Sequence, residues 1–248
     1  MSRAEERRQA REVGGSDMKK FYLLFGAVAA VGLSVVGYNV SSGVFGGAVS
    51  TPIDVEGLDD PEALVALARG VAKGDKAPIT IVEFGDYQCP GCAAFGMSVK
   101  PLIEQTFVET GQAQFVFYDF PLVGMHPNAF LAARAARCAE DQGKFWDYHD
   151  ELFRNQARWS PLQNPGGAFR DYSDTVGMDG KEFSSCLNSD RHADVVTANM
   201  QLGRMMGVSQ TPTILVNMGG STRRAPGSRL IDIQATIDAM AAAEPGSN

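Results

Sequence analysis

The segment 79–92 constrains this chain more than any other stretch. Ile79-Thr80-Ile81-Val82-Glu83-Phe84 is β-branched and almost wholly apolar, the pattern of a buried strand. A short turn leads to Cys89-Pro90-Gly91-Cys92, and helical sequence follows. Strand, turn and helix, with two thiols three residues apart at the helix start, point to an α/β fold carrying a disulfide that closes and reopens. The first turn of a helix holds unpaired N–H groups and the positive end of the aligned peptide dipoles. A thiolate placed there is stabilised, and its pKa falls from ~8.5 into the range of roughly 3.5–7.5. Cys89 is therefore the candidate nucleophile and Cys92 the candidate resolving thiol. Pro90 suits the first helical position, where its missing N–H would have had no partner.

Two other uses of a Cys-x-x-Cys pair are weaker. A zinc site needs two more ligands at matching spacing. Cys138 and Cys186 stand singly, and His126, His149 and His192 are scattered. A purely structural local staple closes too short a loop to remove much chain entropy. Redox chemistry is favoured, and no metal or organic cofactor is expected. Cys138 and Cys186 are then left, either as a second bridge or as two buried free thiols. Bridged, they would close a 48-residue loop, a constraint on the unfolded chain worth roughly 4 kcal/mol.

The first 20 residues hold six Lys/Arg and four Asp/Glu, after which no charge occurs until Asp54. Residues 21–40 are long and apolar enough to span a bilayer as a helix. Arg7, Arg8, Arg11, Lys19 and Lys20 precede them, which keeps that side cytoplasmic and places everything after residue 40 outside the cytoplasmic membrane. The rival is a cleaved signal peptide ending near Gly46-Gly47-Ala48, but the apolar stretch is longer than a usual signal core. Gly26, Ala30 and Ser34 form a small-residue row that could seat a partner helix. Residues 41–248 carry 16 Lys/Arg against 25 Asp/Glu, which argues against nucleic acid as a partner. An extracytoplasmic location permits disulfides.

Residues 41–58 are rich in Gly and Ser and read as a linker lifting the domain off the membrane. Asp60-Pro61-Glu62 supplies a cap, a helix-start proline and an early acid, for a helix ending at Gly70. A helix after the cysteine pair reaches to about residue 109, and a second strand covers 114–119. Leu131, Ala135, Cys138 and Ala139 share one helix face. Helical patterning continues through 145–153, 181–187 and 191–206. A strand at 213–217, a hairpin or loop at 219–227 and a last helix from 230 complete the order. The expected domains are a tail 1–20, an anchor 21–40, a linker with a short helix 41–70, a catalytic domain 71–243 with a helical insertion at about 125–208, and a frayed end 244–248.

The chain resembles the DsbA-like, membrane-anchored branch of the thioredoxin superfamily. The resemblance spans roughly 70–243 and rests on Ile81-Val82-Glu83-Phe84, Asp86-Tyr87-Gln88-Cys89-Pro90-Gly91-Cys92, Asp119-Phe120-Pro121-Leu122 and His126-Pro127-Asn128-Ala129. Cys138, Lys144-Phe145-Trp146, Gly207-Val208 and Thr211-Pro212-Thr213 extend it. It implies a thioredoxin fold with an inserted helical domain and thiol–disulfide exchange as the activity. It implies that Pro212 is a cis-proline beside the cysteines, exposing the backbone of Thr211 for a substrate peptide to pair with, next to Pro90 and Gly91. It implies that Glu83 is a buried acid that accepts the Cys92 proton, and that Cys138 and Cys186 form a structural bridge. Clients would be cysteine-containing exported proteins, and a quinone-linked membrane oxidase (DsbB- or VKOR-like) would reoxidise the pair in the periplasm or its equivalent.

Three departures stand against that pattern. Strong oxidants of the family carry His between the cysteines, where this chain has Pro-Gly. Asp86 adds a negative charge near Cys89 that would raise its pKa and make the pair less oxidising. The basic segment around Arg223 and Arg224 is longer than the family's hairpin. A reductase of the same fold, as in cytochrome c maturation, and a non-catalytic subunit of a membrane complex are therefore the alternatives.

Overall fold

The computed structural model describes residues 48–243. The tail 1–20, the anchor 21–40 and the end 244–248 lie outside the described residues. Among those described, no helix is long and apolar enough to cross a membrane.

Five strands form one mixed sheet in the order β1-β3-β2-β4-β5. They are β1 (Val71–Lys73), β2 (Ile79–Gly85), β3 (Ala113–Asp119), β4 (Thr213–Met218) and β5 (Ser221–Arg224). β2 and β3 run parallel, joined by helical chain; the other pairs are antiparallel. β2 lies at the centre, which is why its sequence is apolar on both faces. Strand alternation puts Ile81 and Glu83 on one face and Val82 and Phe84 on the other. Ile81, Phe115, Ile214 and Val216 pack with Phe95, Ile233 and Ile237. Phe84, Leu215, Phe120 and Val208 pack on the opposite side. Each such side chain removed from water contributes about 1.5–3 kcal/mol.

The helices are α1 (Pro61–Leu67), α2 (Pro90–Ser98), α3 (Lys100–Ile103), α4 (Ala129–Glu140), α5 (Phe145–Arg154), α6 (Gln156–Trp159), α7 (Gly166–Thr175), α8 (Gly180–Leu187), α9 (Ala193–Met205) and α10 (Leu230–Ala241). A π-helical turn, Glu104–Val108, continues α3. Helices α4 to α9 lie between β3 and β4 in sequence and form the helical insertion. Their core holds Phe130, Tyr148, Leu152, Trp159, Phe169 and Phe183. The single helix expected from the cysteines to residue 109 is broken at Val99. Pro101 lacks the N–H that would continue the ladder, and its ring crowds the preceding turn.

The segment 48–58 is not a free linker. Val49 and Ile53 pack on the insertion core, Ile53 N–H donates to Thr197 Oγ1, and Arg134 donates to the Val49 carbonyl at 2.8 Å. Arg134 also donates to the carbonyls of Leu187, Cys186, Ser189 and Arg191. A buried guanidinium thus closes the end of α8 and ties the incoming chain to it. The Gly/Ser content of 41–58 concealed this, because the attachment uses backbone carbonyls. Strand β1 was also missed. It is three residues long, too short for alternation to register. The 219–227 region resolves into a tight hairpin: Gly219 and Gly220 both have positive φ, as a two-residue turn joining β4 to β5 requires.

Candidate active site

The sheet register assembles the site. Phe84, near the end of β2, pairs with Thr213, the first residue of β4. The turn that leaves β2 and the segment that enters β4 therefore meet at one end of the sheet. The first carries Cys89 and the second carries the cis peptide bond Thr211–Pro212.

Asp86 shapes the turn. Its carboxylate accepts from the N–H groups of Gln88 at 2.7 Å and Leu122 at 2.8 Å, and pairs with His126 Nδ1 at 2.7 Å. Its carbonyl accepts from Cys89 N–H. Gln88 and Gln156 bind the turn to the insertion: Gln88 accepts from Asn128 N–H and donates to the Ser160 carbonyl, and Gln156 donates to the carbonyls of Tyr87 and Cys89. Cys89 is the N-cap of α2 in extended conformation, with Pro90 in the first helical turn.

Cys89 and Cys92 are unbridged; Cys89 is partly buried and Cys92 wholly so. The Cys89 thiol lies 3.4 Å from the Thr211 carbonyl. A hydrogen bond from the Cys92 thiol is the largest influence lowering the Cys89 pKa, with the Thr211 side chain and the backbone N–H groups of Cys92 and Gly91 adding to it. Against the cost of partial burial they bring it from 9.0 to about 5. Burial drives Cys92 the other way, well above its ordinary value, helped by the hydrogen bond it gives Cys89 and by the charges of Glu83 and Cys89. At neutral pH the pair holds one proton, on Cys92. The expectation that Asp86 would raise Cys89 is not met. Its carboxylate is engaged by Gln88, Leu122 and His126, and the helix start prevails.

Glu83 is fully buried, and neither carboxylate oxygen has a hydrogen-bond partner among the described residues. Burial raises it to about 8, against the lowering effect of the Lys100 ammonium and with a further rise from the Cys89 charge. Pro90, Gly91, Thr211 and Pro212 converge on Cys89. A Cβ at Gly91 would lie 3.3 Å from Pro212 Cδ and 3.6 Å from Cys89 Sγ. Gly91 thus leaves the sulfur open beside the 211–212 backbone. Cys138 and Cys186 are disulfide-bonded to each other within the insertion, joining α4 to α8. Asp141 and His192 gather near Cys186, but that sulfur is committed to the bridge and Asp141 pairs with Arg191 and His192.

Sequence reading missed the groups around Glu83. Lys100 is buried and pairs with Glu104 at 2.8 Å and Asp150 at 2.9 Å. Asp150 also meets His149 Nδ1 at 2.9 Å. The only available signals were a polar pair inside the aromatic stretch 145–153 and a lysine preceding a proline.

A family model described as thioredoxin matches residues 70–238. Disulfide bond formation protein D of Bacillus subtilis is 31% identical over 144 residues, 58% of this chain and 65% of that protein. A protein named Na(+)/H(+) antiporter NhaA 1 from Salinispora arenicola is 32% identical over 163 residues, 65% of this chain but 24% of that protein. The chain thus spans less than two thirds of either relative. Among solved structures, oxidised BdbD from Bacillus subtilis superposes with a TM-score of 0.61 at 27% identity, covering 78% of this chain and 97% of that one. The DsbA of Chlamydia trachomatis, at 23% identity and a TM-score of 0.57, shares the fold over 69% of this chain and 89% of its own.

Proposed function

The chain belongs to the thioredoxin family, and from that premise we propose that it is a DsbA-like protein thiol:disulfide oxidoreductase that introduces disulfides into exported proteins. The observation that carries this reading is the Cys89 sulfur, partly accessible at the start of α2, with buried Cys92 behind it and the cis Thr211–Pro212 bond beside it, a setting that lowers its pKa. Stabilising the thiolate favours the reduced pair and so makes the oxidised pair a stronger oxidant. That favours oxidation of clients over the reductase alternative.

In the oxidising direction, a client thiolate attacks the Cys89 sulfur of a Cys89–Cys92 disulfide. The S–S bond breaks and its electron pair goes to Cys92, which takes a proton. A second client thiolate then attacks the client sulfur, forming the client disulfide and expelling Cys89 as a thiolate, a good leaving group at this pKa. The Thr211 backbone, beside the sulfur, is the surface on which an extended client segment adds as a strand.

Residues 21–40 anchor the chain with its N-terminus cytoplasmic and residues 71–243 outside, where exported thiols are found. A quinone-linked membrane oxidase would accept the electrons. The test is trapping. With Cys92→Ser, the Cys89 mixed disulfide persists, and bound clients are identified by mass spectrometry. Clients with paired cysteines support the oxidase, haem-attachment sequences support a reductase, and an empty trap removes the enzymatic reading. The antiporter matches favour a second reading, a thioredoxin-fold unit working beside a membrane protein. It predicts that Cys89→Ser changes nothing in the cell.

A further inference from the structure

Resolving a mixed disulfide on Cys89 requires Cys92, wholly buried, to lose a proton. Glu83 is within electrostatic range of that thiol and is itself wholly buried, so a proton taken by Glu83 needs a way out.

Four buried polar atoms in this part of the core have no hydrogen-bond partner among the described residues: the two Glu83 oxygens, the Tyr87 hydroxyl and His149 Nε2. They surround Phe117. A Cβ at Gly85 would lie 3.0 Å from Glu83 Oε1 and 2.3 Å from Phe117 Cε2, so carboxylate and ring share that corner. The His149 ring stands edge-on to Phe117 with centroids 5.0 Å apart, and Tyr87 lies 5.3 Å from Phe117 and 5.5 Å from His149. Buried polar groups of this kind are ordinarily satisfied by water.

The other side of His149 leads outward. Nδ1 meets Asp150 Oδ1 at 2.9 Å, and the same oxygen accepts from Lys100 at 2.9 Å. The Asp150 side chain is 35% exposed. Asp150 is held ionised by His149 and Lys100 against its partial burial. Burial holds His149 neutral, with Lys100 and Lys73 opposing its protonation and Asp150 favouring it. A neutral imidazole facing a carboxylate through Nδ1 carries its proton there. That leaves the Nε2 lone pair as a buried, unpartnered acceptor beside Phe117, the ring whose other neighbour is the Glu83 carboxylate.

We propose that His149, oriented by Asp150, relays the proton of Cys92 from Glu83 to solvent through buried water during mixed-disulfide resolution. The proton passes from Cys92 to Glu83, then through water to Nε2, while the Nδ1 proton leaves by way of Asp150. The Cys92 thiolate attacks Cys89, a new Cys89–Cys92 bond forms, and the departing thiolate takes its proton from solvent. The Cys89 charge is one cause of the raised Glu83 value, and a mixed disulfide removes that charge. Glu83 therefore ionises more readily once the mixed disulfide has formed, and its carboxylate becomes available to accept the Cys92 proton.

The inference rests on the exchange activity proposed above, and the test separates the two. The reduced full chain is mixed with oxidised glutathione, and acid-quenched samples are read by mass spectrometry for the Cys89–glutathione adduct and its resolution, from pH 5 to 9. Failure of any adduct to form at Cys89 sinks the enzymatic reading itself. Given an adduct, His149→Phe is expected to leave its formation unchanged and to slow its resolution at least about tenfold at pH 7, as loss of a proton-transfer group does. In a Glu83→Gln background the same change is expected to add nothing, since His149 acts through Glu83. Resolution with an unaltered rate and pH profile, or equal slowing in both backgrounds, overturns the relay. If His149→Phe does not fold, Asp150→Asn is read by the same criteria.

Discussion

The molecule holds two pairs of cysteines, and their surroundings give them opposite tasks. Cys89 and Cys92 are three residues apart at the mouth of a helix, one sulfur partly open and the other sealed beneath it. The hydrogen bond from Cys92 and the N–H groups of the helix start favour a charged sulfur there. Cys138 and Cys186 are 48 residues apart, bonded to each other, and each only 1% exposed. Nothing reaches them from outside, and their bond constrains a long loop. The same chemical element is thus a reactive group where donors face it and solvent reaches it, and a staple where neither holds.

Breaking each pair should reveal this. Cys89→Ser is expected to abolish thiol–disulfide exchange, measured as glutathione-dependent reduction of a model disulfide, whereas Cys138→Ser retains it while folded. Loss of exchange in both variants under folding conditions would erase the distinction. Cys138→Ser is expected to lower unfolding stability by about 4 kcal/mol, the chain-entropy value for a loop of this length; Cys89→Ser in the reduced protein should have far less effect. Equal denaturation midpoints for the wild type and Cys138→Ser would show that the bridge does not stabilise the insertion.

A buried pair of carboxylates repeats the contrast. Asp119 pairs with Arg137 at 2.7 Å and accepts from Asn199 at 3.0 Å. Glu83, on the neighbouring strand, has no partner for either oxygen among the described residues. Its pKa is raised from 4.5 to about 8, so the folded state holds a proton that the unfolded state has released between those values. The favourable contribution is complete below about pH 4.5 and is lost as pH rises toward 8. Relative to Glu83→Gln, the wild type should therefore lose about 1.4 kcal/mol per pH unit across that window, and the difference should be flat above it. Parallel stability curves for the two proteins would mean that Glu83 is not raised.

Most of the architecture was readable because it is local. The central strand 79–84 announces its burial by composition, and Pro90 marks the helix start. Thr211-Pro212-Thr213 carried a resemblance that the register of β2 with β4 explains. What stayed hidden is long-range. Val49 and Ile53 sit in a Gly/Ser-rich segment, and the Arg134 fork, the Thr197 hydroxyl and the insertion core fix them. Lys100 and His149 are distant in sequence and meet through Asp150. The influence of Asp86 on Cys89 was misjudged because sequence distance says nothing of where a carboxylate finds its donors.

The central claim is that the fold holds one sulfur ionised. The most direct test is the rate of iodoacetamide alkylation at Cys89 in the reduced protein from pH 3 to 9, followed by mass spectrometry. The account predicts a titration midpoint near 5; a midpoint near 8.5, that of an unperturbed thiol, would contradict it.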